Sequence, residues 1–112
     1  MYAYILNRKA QVYLLKQEYK TALNYAYKSL SISEKINNQQ GVVLALSTLT
    51  ELHYVQKQPN DCTTSGERAI NMATQIEFFP EEILESTKLI VSLFEKEGKL
   101  SQAIRYRKIY ND

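Results

Sequence analysis

Apolar residues recur at every third or fourth position through nearly the whole chain, and short polar breaks separate the stretches. This spacing is typical of amphipathic helices rather than strands. Only three Gly and two Pro occur in 112 residues, which argues against a many-stranded β domain. We therefore expect an all-α fold of six helices, joined as three antiparallel hairpins. The predicted helices cover residues 2–15, 18–36, 42–57, 61–77, 80–97 and 100–110.

The predicted helices repeat in pairs. A small residue, a ring and a turn residue recur at separations of 40 and then 41 residues. They are Ala22, Cys62 and Ala103; Tyr13, His53 and Phe94; and Gln17, Lys57 and Gly98. A small residue early in the second helix of a pair lets that helix approach the first closely, and the ring fills the remaining gap. Such self-similarity predicts a repeat architecture.

These positions resemble the tetratricopeptide repeat over nearly the whole chain. The second repeat departs from the family pattern at Thr50, Pro59 and Gly66. The first and third repeats match at Leu6, Ala10, Tyr13, Tyr19, Ala22 and Leu23, and at Ile90, Phe94, Gly98, Leu100, Ala103 and Ile104. The resemblance implies a right-handed α-solenoid fragment, one domain over 1–112 with repeats at 2–38, 41–79 and 80–112. Because the family's unit has about 34 residues, each helix pair here is longer by about a turn and a half.

The resemblance also implies a function. The family binds proteins or peptides, and the longer variety is similar to arrays in bacterial sensor kinases and regulators. We therefore expect a binding module within a larger signalling protein. The first alternative is a dimerisation element that uses the open ends of the array, because such arrays need covered ends. The chain is expected to be a piece of a longer protein or a dimer that covers its open end.

In this family the first helix of each pair lines a concave groove. Transferring the contact positions gives Tyr4, Asn7, Gln11, Leu14, Ser47, Glu51, Tyr54, Val55, Lys88, Ser92, Glu95 and Lys96 as candidate groove residues. Tyr4 and Tyr54 serve either a ligand or packing between repeats. Members that bind chaperone tails hold a carboxylate with Lys, Asn and Arg, but here the corresponding sites include Asn7, Gln11, Glu85 and Leu89. An acidic tail is therefore a poor candidate, and a polar peptide or a helix with some apolar anchors fits better.

The sequence offers little for catalysis. His53 is the only histidine and aligns with ring positions, so we expect a packed side chain. Cys62 aligns with alanines, which predicts a buried and inert thiol. One cysteine excludes an internal disulfide and a Cys-rich zinc site. There is no Gly-rich phosphate loop, so we expect no enzyme activity, cofactor or metal, with a helical hydrolase as the remote alternative.

The charge balance bears on partners and location. Fourteen Lys+Arg against twelve Asp+Glu give a net charge of +2, and the two signs are interspersed. Because phosphate binding needs a concentrated basic face, nucleic acid is not an expected partner. No apolar run is long enough for a membrane span, and the first residues lack the order of a signal peptide. The compartment, cytoplasmic or periplasmic, stays open.

Overall fold

The computed structural model describes residues 2–111, with side chains as far as Ile109. Over that range the chain is all-helical, as the periodicity predicts, and every helix bound lies within three residues of its predicted position. Asp112, where the last predicted repeat ends, lies outside the described residues. The helices are α1 Tyr2–Leu15, α2 Tyr19–Lys35, α3 Gln39–Val55, α4 Pro59–Ile76, α5 Glu81–Lys96 and α6 Leu100–Asn111.

The turns after α1, α3 and α5 share one backbone geometry. Gln17, Lys57 and Gly98 adopt left-handed conformations with φ of 64°, 59° and 75°. In each turn the next residue donates its N–H to a carbonyl five residues back, at 2.8 to 2.9 Å. The bonds run from Glu18 to Tyr13, from Gln58 to His53 and from Lys99 to Phe94. This Schellman arrangement satisfies carbonyls that a helix end leaves unpaired.

The helix starts follow local sequence signals. The side chain of Asn38 precedes α3 and accepts a hydrogen bond from the Gly41 N–H at 3.0 Å. Pro59 occupies the first turn of α4, so this helix begins two residues before its predicted start at residue 61. Pro80 lies just before α5 rather than inside its first turn, which corrects the predicted start by one residue. Glu81 and Glu82 then occupy that first turn, where the helix dipole favours negative charge.

Two buried clusters hold the helices together. Each helix packs against the next one, and α3 also contacts both α1 and α5. The aligned small residues Ala22, Cys62 and Ala103 are at most 2% exposed, so they allow close approach of neighbouring helices. The first cluster contains residues of each helix from α1 through α5, among them Ala10, Ala26, Leu46, Leu49, Leu52 and Ile83. The second joins α4, α5 and α6 around Cys62, Ile70, Ile90, Phe94, Ala103 and Tyr106.

None of the helices described between Tyr2 and Asn111 is long and apolar enough to cross a lipid bilayer.

Candidate functional site

A groove opens between α3 and α5. Its first part is a cavity of about 300 Å³, with Gln11 of α1 at one edge. Spacings of three and four residues place the lining side chains on one side of each helix. They are Ser47, Thr48, Glu51, Tyr54 and Val55 of α3, and Glu82, Glu85, Ser86 and Leu89 of α5.

This first cavity is acidic. Glu51, Glu82 and Glu85 line it, and no Lys or Arg does. Burial raises the pKa of Glu51, and the neighbouring charge of Glu85 raises it further. Among the described side chains the ion pairs join Arg68 to Glu34, Lys99 to Glu97 and Arg107 to Glu95. The groove carboxylates therefore have no cationic partner within that part of the chain.

A second cavity continues the first. It measures about 620 Å³ and shares Tyr54 and Val55 with its neighbour. Its other lining residues are Lys57, Pro59, Leu93 and Lys96. We call the two cavities together the α3–α5 groove. It has an acidic end (Glu51, Glu82, Glu85), an apolar middle (Tyr54, Val55, Leu89, Leu93) and a lysine end (Lys57, Lys96).

A smaller polar cavity lies where α1, α2 and α3 meet. It measures about 130 Å³, and Tyr4, Asn7, Ser29 and Asn38 are among its lining residues. Asn7 is only 3% exposed. Its Oδ1 atom has no hydrogen-bond partner among the described residues. An unpaired buried oxygen of this kind can accept a hydrogen bond from water or from a bound N–H group.

The structure distributes the sequence-predicted site residues over several environments. Gln11, Ser47, Glu51, Tyr54, Val55 and Lys96 line the α3–α5 groove, and Tyr4 and Asn7 line the small cavity. Leu14 instead belongs to the buried core, at 9% exposure. Glu95 lines none of these cavities and pairs with Arg107 of α6. Lys88 and Ser92 line none of these cavities. The part that each residue plays in binding stays a prediction.

Sequence reasoning identified only part of the α5 wall of the groove. Lys96 was a candidate groove residue, and Glu85 and Leu89 were aligned with the family's clamp positions, whereas Glu82, Ser86 and Leu93 were not selected. The alignment selects the same side of every first helix, whereas a groove between two helices is lined by the sides that face each other. Leu89 and Leu93 follow the candidates Lys88 and Ser92 by one residue, which is about 100° around a helix. Spacings of three and four from Glu82 through Glu85, Leu89 and Leu93 to Lys96 were the available signal.

The two residues weighed for catalysis are both buried. The Nδ1 atom of His53 lies 3.0 Å from the side-chain oxygen of Gln58. Its Nε2 atom lies 3.5 Å from the hydroxyl of Tyr27. Burial raises the pKa of Cys62 to about 12, so little thiolate forms at neutral pH. Among the described residues no cluster of His, Cys, Asp and Glu could hold a metal ion.

Comparisons of this chain with protein-family models, with curated proteins and with solved structures find no match. The functional argument therefore rests on the groove itself.

Proposed function

We propose that the chain is a tetratricopeptide-like module that binds a segment of another protein in the α3–α5 groove. In this proposal three helix hairpins stack as a right-handed solenoid fragment within a larger signalling or regulatory protein. The packing of α3 between α1 and α5 supports the stacked arrangement.

The observation that carries the binding function is the continuous groove with an apolar middle and charged ends. Binding sites are concave, with mostly apolar linings and a few placed polar groups, and helical segments dock into such grooves. Tyr54 contributes to both cavities. Its ring offers a large rigid contact and one hydroxyl, which suits a contact near the centre of an interface.

Peptide selection tests this function. The chain is used as bait for a library of random peptides, and the affinities of selected peptides are measured by fluorescence anisotropy. We expect Tyr54→Ala to weaken binding more than twofold, because it removes the ring shared by the two cavities. Tyr2→Ala is the matched control, since Tyr2 is 58% exposed and lines none of the cavities described above. Equal affinity of the natural chain and Tyr54→Ala would place binding elsewhere.

Exposed apolar residues favour self-association as a second candidate function. Ile5, Val12 and Leu15 of α1 and Leu100 and Ile104 of α6 are 45–84% exposed. Burying such side chains between two copies would be favourable. Sedimentation equilibrium should then show a mass that rises with concentration, and Ile104→Glu should reduce that rise. A mass that stays at one chain over a hundredfold concentration range would exclude this candidate.

A further inference from the structure

The α3–α5 groove carries opposite charges at its two ends, which limits what can occupy it. We propose that it binds a protein segment with a Lys or Arg side chain at its acidic end, an Asp or Glu side chain at its lysine end, and apolar side chains between them. This inference rests on the proposed function, because it specifies the ligand of the same groove.

The acidic end requires a cationic group. Glu85 lies close enough to Glu51 for its charge to raise the pKa of the Glu51 carboxyl. Glu82 lines the same cavity and adds a third carboxylate. Like charges held in a partly desolvated cavity repel one another, so an incoming ammonium or guanidinium group gains favourable interactions there. Arg is well suited, because its planar fork can bond two carboxylate oxygens at once.

The lysine end requires the opposite sign. Lys57 follows α3 and Lys96 ends α5, and both side chains are exposed at the second cavity. The described ion pairs involve neither residue. A segment that is basic along its whole length would be repelled by these two ammonium groups. A segment that brings only apolar groups would leave them without an anionic partner. An anionic side chain at this end would interact favourably with both ammonium groups.

The distance between the ends sets the spacing of the ligand's charges. Glu85 and Lys96 are eleven positions apart on α5, which is about 16 Å along the helix. That span corresponds to about eleven residues of a helical ligand or about five residues of an extended one. It also exceeds the screening length of about 8 Å at physiological salt, so the charges of Glu85 and Lys96 interact only weakly.

The apolar middle makes a protein segment the fitting occupant. Tyr54, Val55, Leu89 and Leu93 form the surface between the charged ends. A polyamine has no side chains to bury on this surface, and the carboxylates repel the phosphates of a nucleic acid. A peptide supplies both charges and the apolar groups between them.

Double-mutant cycles between chain and peptide test the proposal. The probes are a peptide selected from the random library and two derivatives, one with its basic residues replaced by Gln and one with its acidic residues replaced by Gln. Each probe is titrated against the natural chain, Glu85→Gln and Lys96→Gln. Glu81→Gln and Lys35→Gln are matched controls, because they remove the same charges from exposed helix positions outside the groove.

We expect the loss of basic peptide residues to weaken binding to the natural chain about three- to fivefold and to have little effect on Glu85→Gln. The loss of acidic peptide residues should show the same dependence on Lys96. The proposal would be overturned if each change of peptide charge lowered the affinity equally on the natural chain and on every variant. It would also be overturned if the selected peptides were basic throughout and bound Lys96→Gln as tightly as the natural chain. If such peptides still lose affinity on Tyr54→Ala, the proposed function stands. If no peptide responds to Tyr54→Ala, the proposed function fails too.

Discussion

Gly66 lies at a close approach of α4 to α5, and replacing it with alanine tests how tightly the α5 wall is held. A Cβ atom at Gly66 would lie 2.5 Å from Cγ2 of Ile90 and 3.3 Å from Cγ2 of Thr50. The first distance is far inside van der Waals contact. Because Ile90 is branched at Cβ, its χ1 angle is nearly fixed within a helix. The helices must therefore separate to accept the added methyl group.

Two effects of opposite sign determine the magnitude. Alanine is favoured over glycine in a helix interior by about 1 kcal/mol. Forcing an extra methyl group into a packed core costs about 1–3 kcal/mol. We expect Gly66→Ala to lower the free energy of unfolding by about 1 kcal/mol, which is about 4 °C in Tm for a domain of this size. Urea and thermal denaturation followed by far-UV circular dichroism measure both quantities.

The Ile90→Leu background provides the control. Leucine keeps the side-chain volume but has no methyl group on Cβ, so the collision with an alanine at position 66 is relieved at a cost below about 1.5 kcal/mol. In that background Gly66→Ala should be less destabilising by about 1 kcal/mol or more, since only the 3.3 Å contact with Cγ2 of Thr50 then opposes the helix preference of alanine. A Gly66→Ala variant that is more stable than the natural chain would refute the reasoning. An equal effect in both backgrounds would refute the role of Ile90.

Three further predictions concern charge, backbone conformation and thiol reactivity. Because the native fold raises the pKa of Glu51, this group destabilises the fold increasingly as pH rises from its unfolded value through its folded value. Glu85→Gln should thus raise the free energy of unfolding at pH 7 by about 0.3 kcal/mol after solvent screening. Urea melts at pH 3 should show no difference, since Glu51 is then uncharged and the repulsion is absent. Gly98→Ala should cost about 1 kcal/mol in thermal melts through its φ of 75° alone, since nothing lies within 4 Å of the added Cβ; an unchanged Tm would contradict this. Cys62 is fully buried, with a pKa raised to about 12, and should react with a thiol reagent only in denaturant; rapid labelling of the native chain would contradict it.

Local patterns in the sequence located the helices and gave their ends to within three residues. Apolar spacing predicted all six helices, because burial of one side requires a period near 3.6 residues. The alignment of Gln17, Lys57 and Gly98 found three turns that share a left-handed residue and a Schellman bond. It also found Cys62 as a small buried position, because helix crossings exclude large side chains there.

The groove was only partly accessible by the same reasoning. Glu51 and Tyr54 could be located on α3 from sequence, but Glu82 was interpreted only as a helix-start residue. Which side of α5 faces α3 depends on how the two helices rotate and shift against each other. Long-range contacts such as that between Gly66 and Ile90 set this arrangement, and no local pattern encodes it.

The sequence by itself therefore determined an all-helical chain with paired helices, its turns and most of its buried small residues, since these depend on neighbours a few positions away. Only the tertiary structure decided that Leu14 is part of the core, that Glu95 faces Arg107, and that three carboxylates and two lysines lie at opposite ends of one groove. The physical reason is that a charge acts through its spatial neighbours, and packing between helices brings together residues that are far apart in the chain.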